Sequence, residues 1–154
     1  MKKVNTKNFK KTLSKFPTGI TVVCVKYNNS IYGKTVNSFN SLSLNPPMVL
    51  FSLGNYSSSI KKFSKTKFLS INILSSKQKK LSDNFALTEP NLEDIKFIEG
   101  KNKTAIIANC IANLECELIE NIKKGDHIIF ICKILELQSN DKLKPLVYFN
   151  SKYF

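Results

Sequence analysis

Apolar side chains recur along this chain mainly with a period of two or in short unbroken runs, the signature of strands, and only in a few places with helical spacing. Phe9, Leu13 and Phe16 stand at i, i+4 and i+7 in an otherwise basic segment, which predicts a short amphipathic helix over 5–16. Pro17-Thr18-Gly19 ends it. Ile20 to Lys26 is a β-branched strand, and Tyr27-Asn28-Asn29-Ser30 reads as a hairpin turn, since asparagine tolerates positive φ. The return strand then runs from Gly33 through Thr35, Val36, Asn37, Ser38, Phe39, Ser41 and Ser43 to Asn45, pairing with 20–26 until Pro46-Pro47 stops it.

Met48 to Leu53 is almost wholly apolar and predicts a strand buried on both faces. A polar turn, 54–59, leads into a helix from Ser59 to Lys65. Phe68 to Leu74 is a strand interrupted by Asn72, and 75–86 is a capped helix with Leu81 and Phe85 on one side. Residues 87–105 have weak periodicity and read as a long excursion. Cys110, Ala112, Leu114, Cys116 and Leu118 alternate with Asn113, Glu115 and Glu117, as in a half-buried strand whose carboxylates face solvent. His127 to Leu137 is apolar on both faces, one for a barrel interior and one for a subunit contact, and Leu146 to Phe149 is a last short strand. The predicted fold is mostly β with a few helices: an antiparallel barrel, because closure removes the edges that so many apolar strands would expose. One domain, 1–154, accommodates it.

Charge changes this picture less than its size suggests. The net charge of +13 arises from 24 lysines against 11 acidic residues. Without arginine there is no bidentate reader of bases or phosphates, so a solvated lysine surface is favoured over a nucleic-acid face, although a positive field would gather anionic nucleotides. No segment approaches a membrane-spanning helix, and no apolar signal core follows the first residues; a cytoplasmic protein with no membrane partner is expected. The four cysteines lie in apolar strand patterns without metal-ligand spacing, predicting buried free thiols and no metal site.

Candidate chemistry is sparse. His127 is the only histidine, and neither a nucleophile elbow nor a phosphate loop nor a dinucleotide fingerprint is present. A lone histidine beside Gly125-Asp126 reads as a strand-end residue more readily than as a catalyst. The run of small hydroxyl and amide side chains from Thr35 to Ser43 suits either a ligand wall or a polar edge strand. An enzyme of this composition would draw its reactivity from a cofactor.

Six ordered blocks carry a family resemblance: Phe16 to Val23, Gly33 to Pro47, Phe68 to Leu74, Leu114 to Cys116, Gly125 to Phe130 and Pro145 to Tyr148. Together they resemble the flavin reductase-like family, the short-chain NAD(P)H:flavin oxidoreductases that serve two-component monooxygenases. The resemblance implies a split β-barrel of Greek-key type that binds FMN, or FAD in some members, at a homodimer interface, with NADH or NADPH as hydride donor and a monooxygenase as partner. It implies a flavin site built from Thr18, from Thr35, Val36, Asn37, Ser38, Phe39 and Ser41, from Ser57 and Ser59 at the phosphate, and from Asn72. His127 would stand on the nicotinamide side as the catalytic residue. Hydride transfer between stacked rings needs little acid–base machinery, which suits a chain with one histidine. A non-catalytic flavin carrier on the same barrel is the alternative. Lys34 departs from the family, many of whose members carry an apolar residue there, and its role is open.

Overall fold

The computed structural model describes residue 1 and residues 3–154. After helix α1 (Thr6–Leu13), the chain forms β1 (Thr18–Gly19), β2 (Thr21–Tyr27), β3 (Ser30–Val36), β4 (Asn40–Leu44) and β5 (Pro47–Gly54). Helix α2 (Ile60–Lys65), β6 (Phe68–Ile73) and helix α3 (Lys79–Ala86) follow. Then come β7 (Phe97–Glu99), β8 (Ala105–Ile107), the long β9 (Ala112–Lys124) and β10 (His127–Ser139), and the short β11 (Val147–Phe149) and β12 (Lys152–Tyr153).

Seven strands make one antiparallel sheet in the order β3-β2-β6-β9-β10-β5-β4. Its ends curl toward each other. Ser38, just past β3, donates its hydroxyl to the Ser52 carbonyl on β5 (3.1 Å) and accepts from the Ser52 N–H (3.0 Å), so the first strand is tied to the sixth. This is the partial closure expected of a split barrel.

Inside the curl, Val23, Val25, Phe51, Leu69, Ile71, Cys116 and Phe130 pack with Phe63 of α2. Phe51 and Phe130 stack with centroids 5.0 Å apart, and Phe63 meets Phe130 edge-on at 6.2 Å. A second core lies on the outer face, where Val22, Cys24, Leu74, Phe85, Ala105, Ile107 and Leu146 join α3 and the β7–β8 hairpin to the sheet. The apolar run of β2 therefore serves both cores, Val23 and Val25 the inner and Val22 and Cys24 the outer, while β6 gives Leu69 and Ile71 to the inner core and turns Ser70 and Asn72 the other way.

Four expectations need correction. The segment 33–45 is not one strand: β3 ends at Val36, residues 37–39 leave the ladder, and β4 pairs with β5 instead of β2. β5 is buried on one face only, through Val49, Phe51 and Leu53, because no second core lies behind it. The 87–105 segment is not wholly an excursion: from Phe97 it builds a hairpin, β7 pairing with β8. Glu115, expected in solvent, is 4% exposed and anchors that hairpin, accepting from the Lys101 and Asn102 N–H groups (2.9 Å each) and the Thr104 hydroxyl (2.7 Å).

Candidate functional site

The departure of the chain from the ladder at Asn37–Phe39 creates the feature on which the site is organised. Crossing from one end of the sheet to the other forces this segment over the mouth of the curl, where its small side chains line a rim. Asn37 and Ser41 are exposed, Ser38 is braced against Ser52, and Val36 and Phe39 pack toward the inner core, leaving their backbone to the rim.

Two groups of residues flank this segment. On one side, Thr35 donates its hydroxyl to the Ser82 carbonyl of α3 (2.7 Å), and the Ser82 hydroxyl meets the Tyr153 phenol at 2.9 Å. Tyr153 packs on Tyr148 with centroids 5.2 Å apart, and Tyr148 stands opposite Thr18 in the β1–β11 pairing. Burial pushes the Tyr153 phenol above its ordinary pKa, against the Ser82 hydrogen bond, so it stays protonated. Thr18 Oγ1 is buried and, alone among the buried side-chain polar atoms of the described residues, lacks a protein partner. An unsatisfied buried hydroxyl is costly unless a ligand completes it.

On the other side, β5 carries Ser52, the brace of Ser38, and two residues on Gly54, which pairs with His127 at the start of β10. Two strand residues span about 7 Å, so His127 stands close to the rim. Its Nδ1 lies 2.7 Å from the Asp126 carboxylate, leaving Nε2 unclaimed. The His127 ring holds the Asp126 carboxyl below the usual carboxylate range. The turn after Gly54 is tied to the same place, because the Asn55 N–H donates to the Asp126 carbonyl (2.9 Å), and it carries the Ser57 and Ser59 hydroxyls, 3.0 Å apart.

Asn72 is the exception among the sequence candidates. It is fully buried, donating to the Val22 carbonyl (3.0 Å) and the Ser70 hydroxyl (3.1 Å) and accepting from the Ile107 N–H (2.9 Å) and the Asn113 amide (2.8 Å). With every polar position used to join β2, β6, β8 and β9, it is a core bracket and no part of the rim.

Sequence reasoning missed Ser52, Ser82, Tyr148 and Tyr153. Only Ser82 left a signal: it sits three residues before Phe85, a polar residue on the buried side of a short helix. The cysteines are four free thiols, all buried, as expected. Burial pushes their pKa values up, to about 11 for Cys110 and about 12 for Cys132, which leaves them poor nucleophiles.

Comparison with known proteins converges on one group. The family model for the flavin reductase like domain matches residues 13–154. The FMN reductase (NADH) SmoA of Agrobacterium fabrum is 33% identical over 137 residues, covering 89% of this chain and 79% of that protein. The reductase component of 4-hydroxyphenylacetate 3-monooxygenase from Thermus thermophilus is 31% identical, covering 94% of this chain and 93% of that protein. The NADH:FAD oxidoreductase SgcE6 of Streptomyces globisporus, solved in complex with NAD and FAD fragments, superposes with a TM-score of 0.92 at 26% identity, over 100% of this chain and 96% of that one. This chain belongs to the flavin reductase like family.

Proposed function

We propose that this protein is an NADH-dependent flavin reductase whose flavin lies along the 35–41 rim, between the Thr18–Tyr153 group and His127. The observation that carries the reading is the orphaned Thr18 hydroxyl beside a rim of small polar side chains, in a chain whose relatives are NADH-dependent flavin reductases. A bound flavin supplies the hydride acceptor, and the protein supplies orientation.

Thr18 completes its hydrogen bonding on the flavin, and Asn37, Ser38, Ser41 and the backbone of 35–39 hold its polar edge. The Ser57–Ser59 turn takes the phosphate. His127, oriented by Asp126, presents Nε2 on the nicotinamide side. NADPH is the less favoured donor, since named relatives are NADH-dependent. FMN is the primary ligand and FAD an alternative.

A monooxygenase component is the acceptor of the reduced flavin, by likeness to the monooxygenase reductase components among the relatives. The half-exposed outer face of β5, with Met48 and Leu50 and, beside them on β10, Ile129 and Ile131, forms a homodimer interface. Four unpaired thiols suit the reducing cytoplasm.

The test is an FMN titration of the wild type and two variants. Wild-type protein binds FMN; Asn37→Ala weakens binding by roughly tenfold, the loss of one good hydrogen bond; His127→Ala keeps affinity within a factor of about two but slows reduction by NADH by roughly tenfold or more. Unaltered affinity in Asn37→Ala removes the rim from the site, and unaltered turnover in His127→Ala leaves that residue a strand end.

A further inference from the structure

Three consecutive residues of β3 grip α3. Gly33 lies so close to Phe85 that a Cβ there would overlap the ring. Thr35 bonds the Ser82 carbonyl. Between them, Lys34 places its ammonium 2.6 Å from the Leu87 carbonyl and 3.3 Å from that of Thr88. Leu87 is the residue at which α3 gives way to extended backbone, so the cation satisfies carbonyls at the negative end of a helix.

The remainder of the 87–95 segment is secured differently. Asn84 brackets Asn91, donating to its carbonyl (2.7 Å) and accepting from its N–H (3.0 Å), and Leu92 and Ile95 pack on the outer core. These contacts fix the far end of the segment to α3 and the core. Lys34 alone fixes the near end to the sheet, among the hydrogen bonds of the described residues.

An eight-residue helix is marginal by itself and takes its position from what holds it. About one and a half turns separate Leu87 from Ser82, the residue through which α3 meets both Thr35 and Tyr153. We propose that Lys34 is a positioning residue: by clamping the end of α3 and the 87–95 segment to β3, it fixes the α3 side of the flavin site without touching the ligand. This rests on the placement of flavin along the 35–41 rim. It also gives a physical role to the residue at which this chain departs from the apolar side chain common in the family, because a thioether or alkyl group at 34 offers those carbonyls no donor.

Lys34→Met keeps the stem and loses the donor; Lys34→Arg keeps donor and charge. Three readouts decide: amide hydrogen exchange over 87–92 without flavin, the Kd for FMN, and turnover at saturating FMN. The clamp predicts faster exchange in Lys34→Met, an FMN Kd raised roughly fivefold to tenfold with saturated turnover within a factor of about two, and near wild-type values for Lys34→Arg. Unchanged exchange in Lys34→Met overturns the clamp. Faster exchange with unchanged FMN affinity overturns the link to the site, as does equal impairment in Lys34→Arg. Wild-type protein that binds no FMN fails the parent reading instead, and the flavin-free exchange distinguishes the two failures.

Discussion

Glu115 shows how one side chain can carry a whole connection. Its carboxylate gathers two backbone N–H groups and one hydroxyl from 101–104, and Gly100 must lack a side chain because a Cβ would collide with that carboxylate. Burial pushes the Glu115 pKa up, but the bonds from Thr104, Asn102 and Lys101 outweigh it and leave it below the usual value. A depressed carboxyl pKa stabilises the fold above the unfolded value, about 4.3 for glutamate, and the contribution is lost as pH falls through and below it. The wild type therefore loses stability on acidification through that window. Glu115→Gln is expected to lose about 2 kcal/mol near neutral pH and to show a flatter acid limb. Thermal unfolding across pH reads this directly, and parallel curves for the two proteins would exclude the role. In sequence, Glu115 and Glu117 alternate like any solvated pair. Nothing local marks the first as bound, since its partners lie 11–14 residues upstream.

At the scale of elements, β2 was legible as a β-branched apolar run and β6 as Leu69, Ile71 and Ile73 alternating with Ser70 and Asn72, patterns with few other uses. The helices were legible too, within a few residues, from their spacing and from the Ser75–Gln78 capping box on the helical turn that leads into the third. The break at Asn37–Phe39 was not. Period two lapses at Asn37-Ser38 and Asn40-Ser41, but with no Gly or Pro to mark a turn the stretch reads as one polar strand while the chain changes partners from β2 to β5. That break is the rim along which the flavin is proposed to lie. The Thr18, Ser82, Tyr148 and Tyr153 group draws on four elements distant in the chain, and local periodicity carries no information about such meetings. Only the resemblance pointed to Thr18. Asn72 shows the converse: a polar break in an apolar strand looks the same whether it faces a ligand or brackets a core.

For the whole molecule, the single chain leaves apolar surface that its own cores do not use. Leu44 at the sheet edge, Leu137 on the outer half of β10, and Phe16 after α1 (74% exposed) stand in solvent. The homodimer proposed above covers the outer face of β5 and β10 around Leu50 and Ile131, and Leu50→Asp is expected to shift the protein from dimer to monomer in sedimentation; a monomeric wild type would contradict the interface. Two barrels related in this way each keep the 35–41 rim, the Thr18–Tyr153 group and His127 along one mouth. The central proposal is that this mouth reduces flavin. The most direct measurement is NADH consumption by purified protein with and without added FMN. Oxidation is expected to saturate with FMN and to far exceed the rate of the flavin-free and protein-free controls; NADH loss no faster than those controls at any FMN concentration would contradict the proposal.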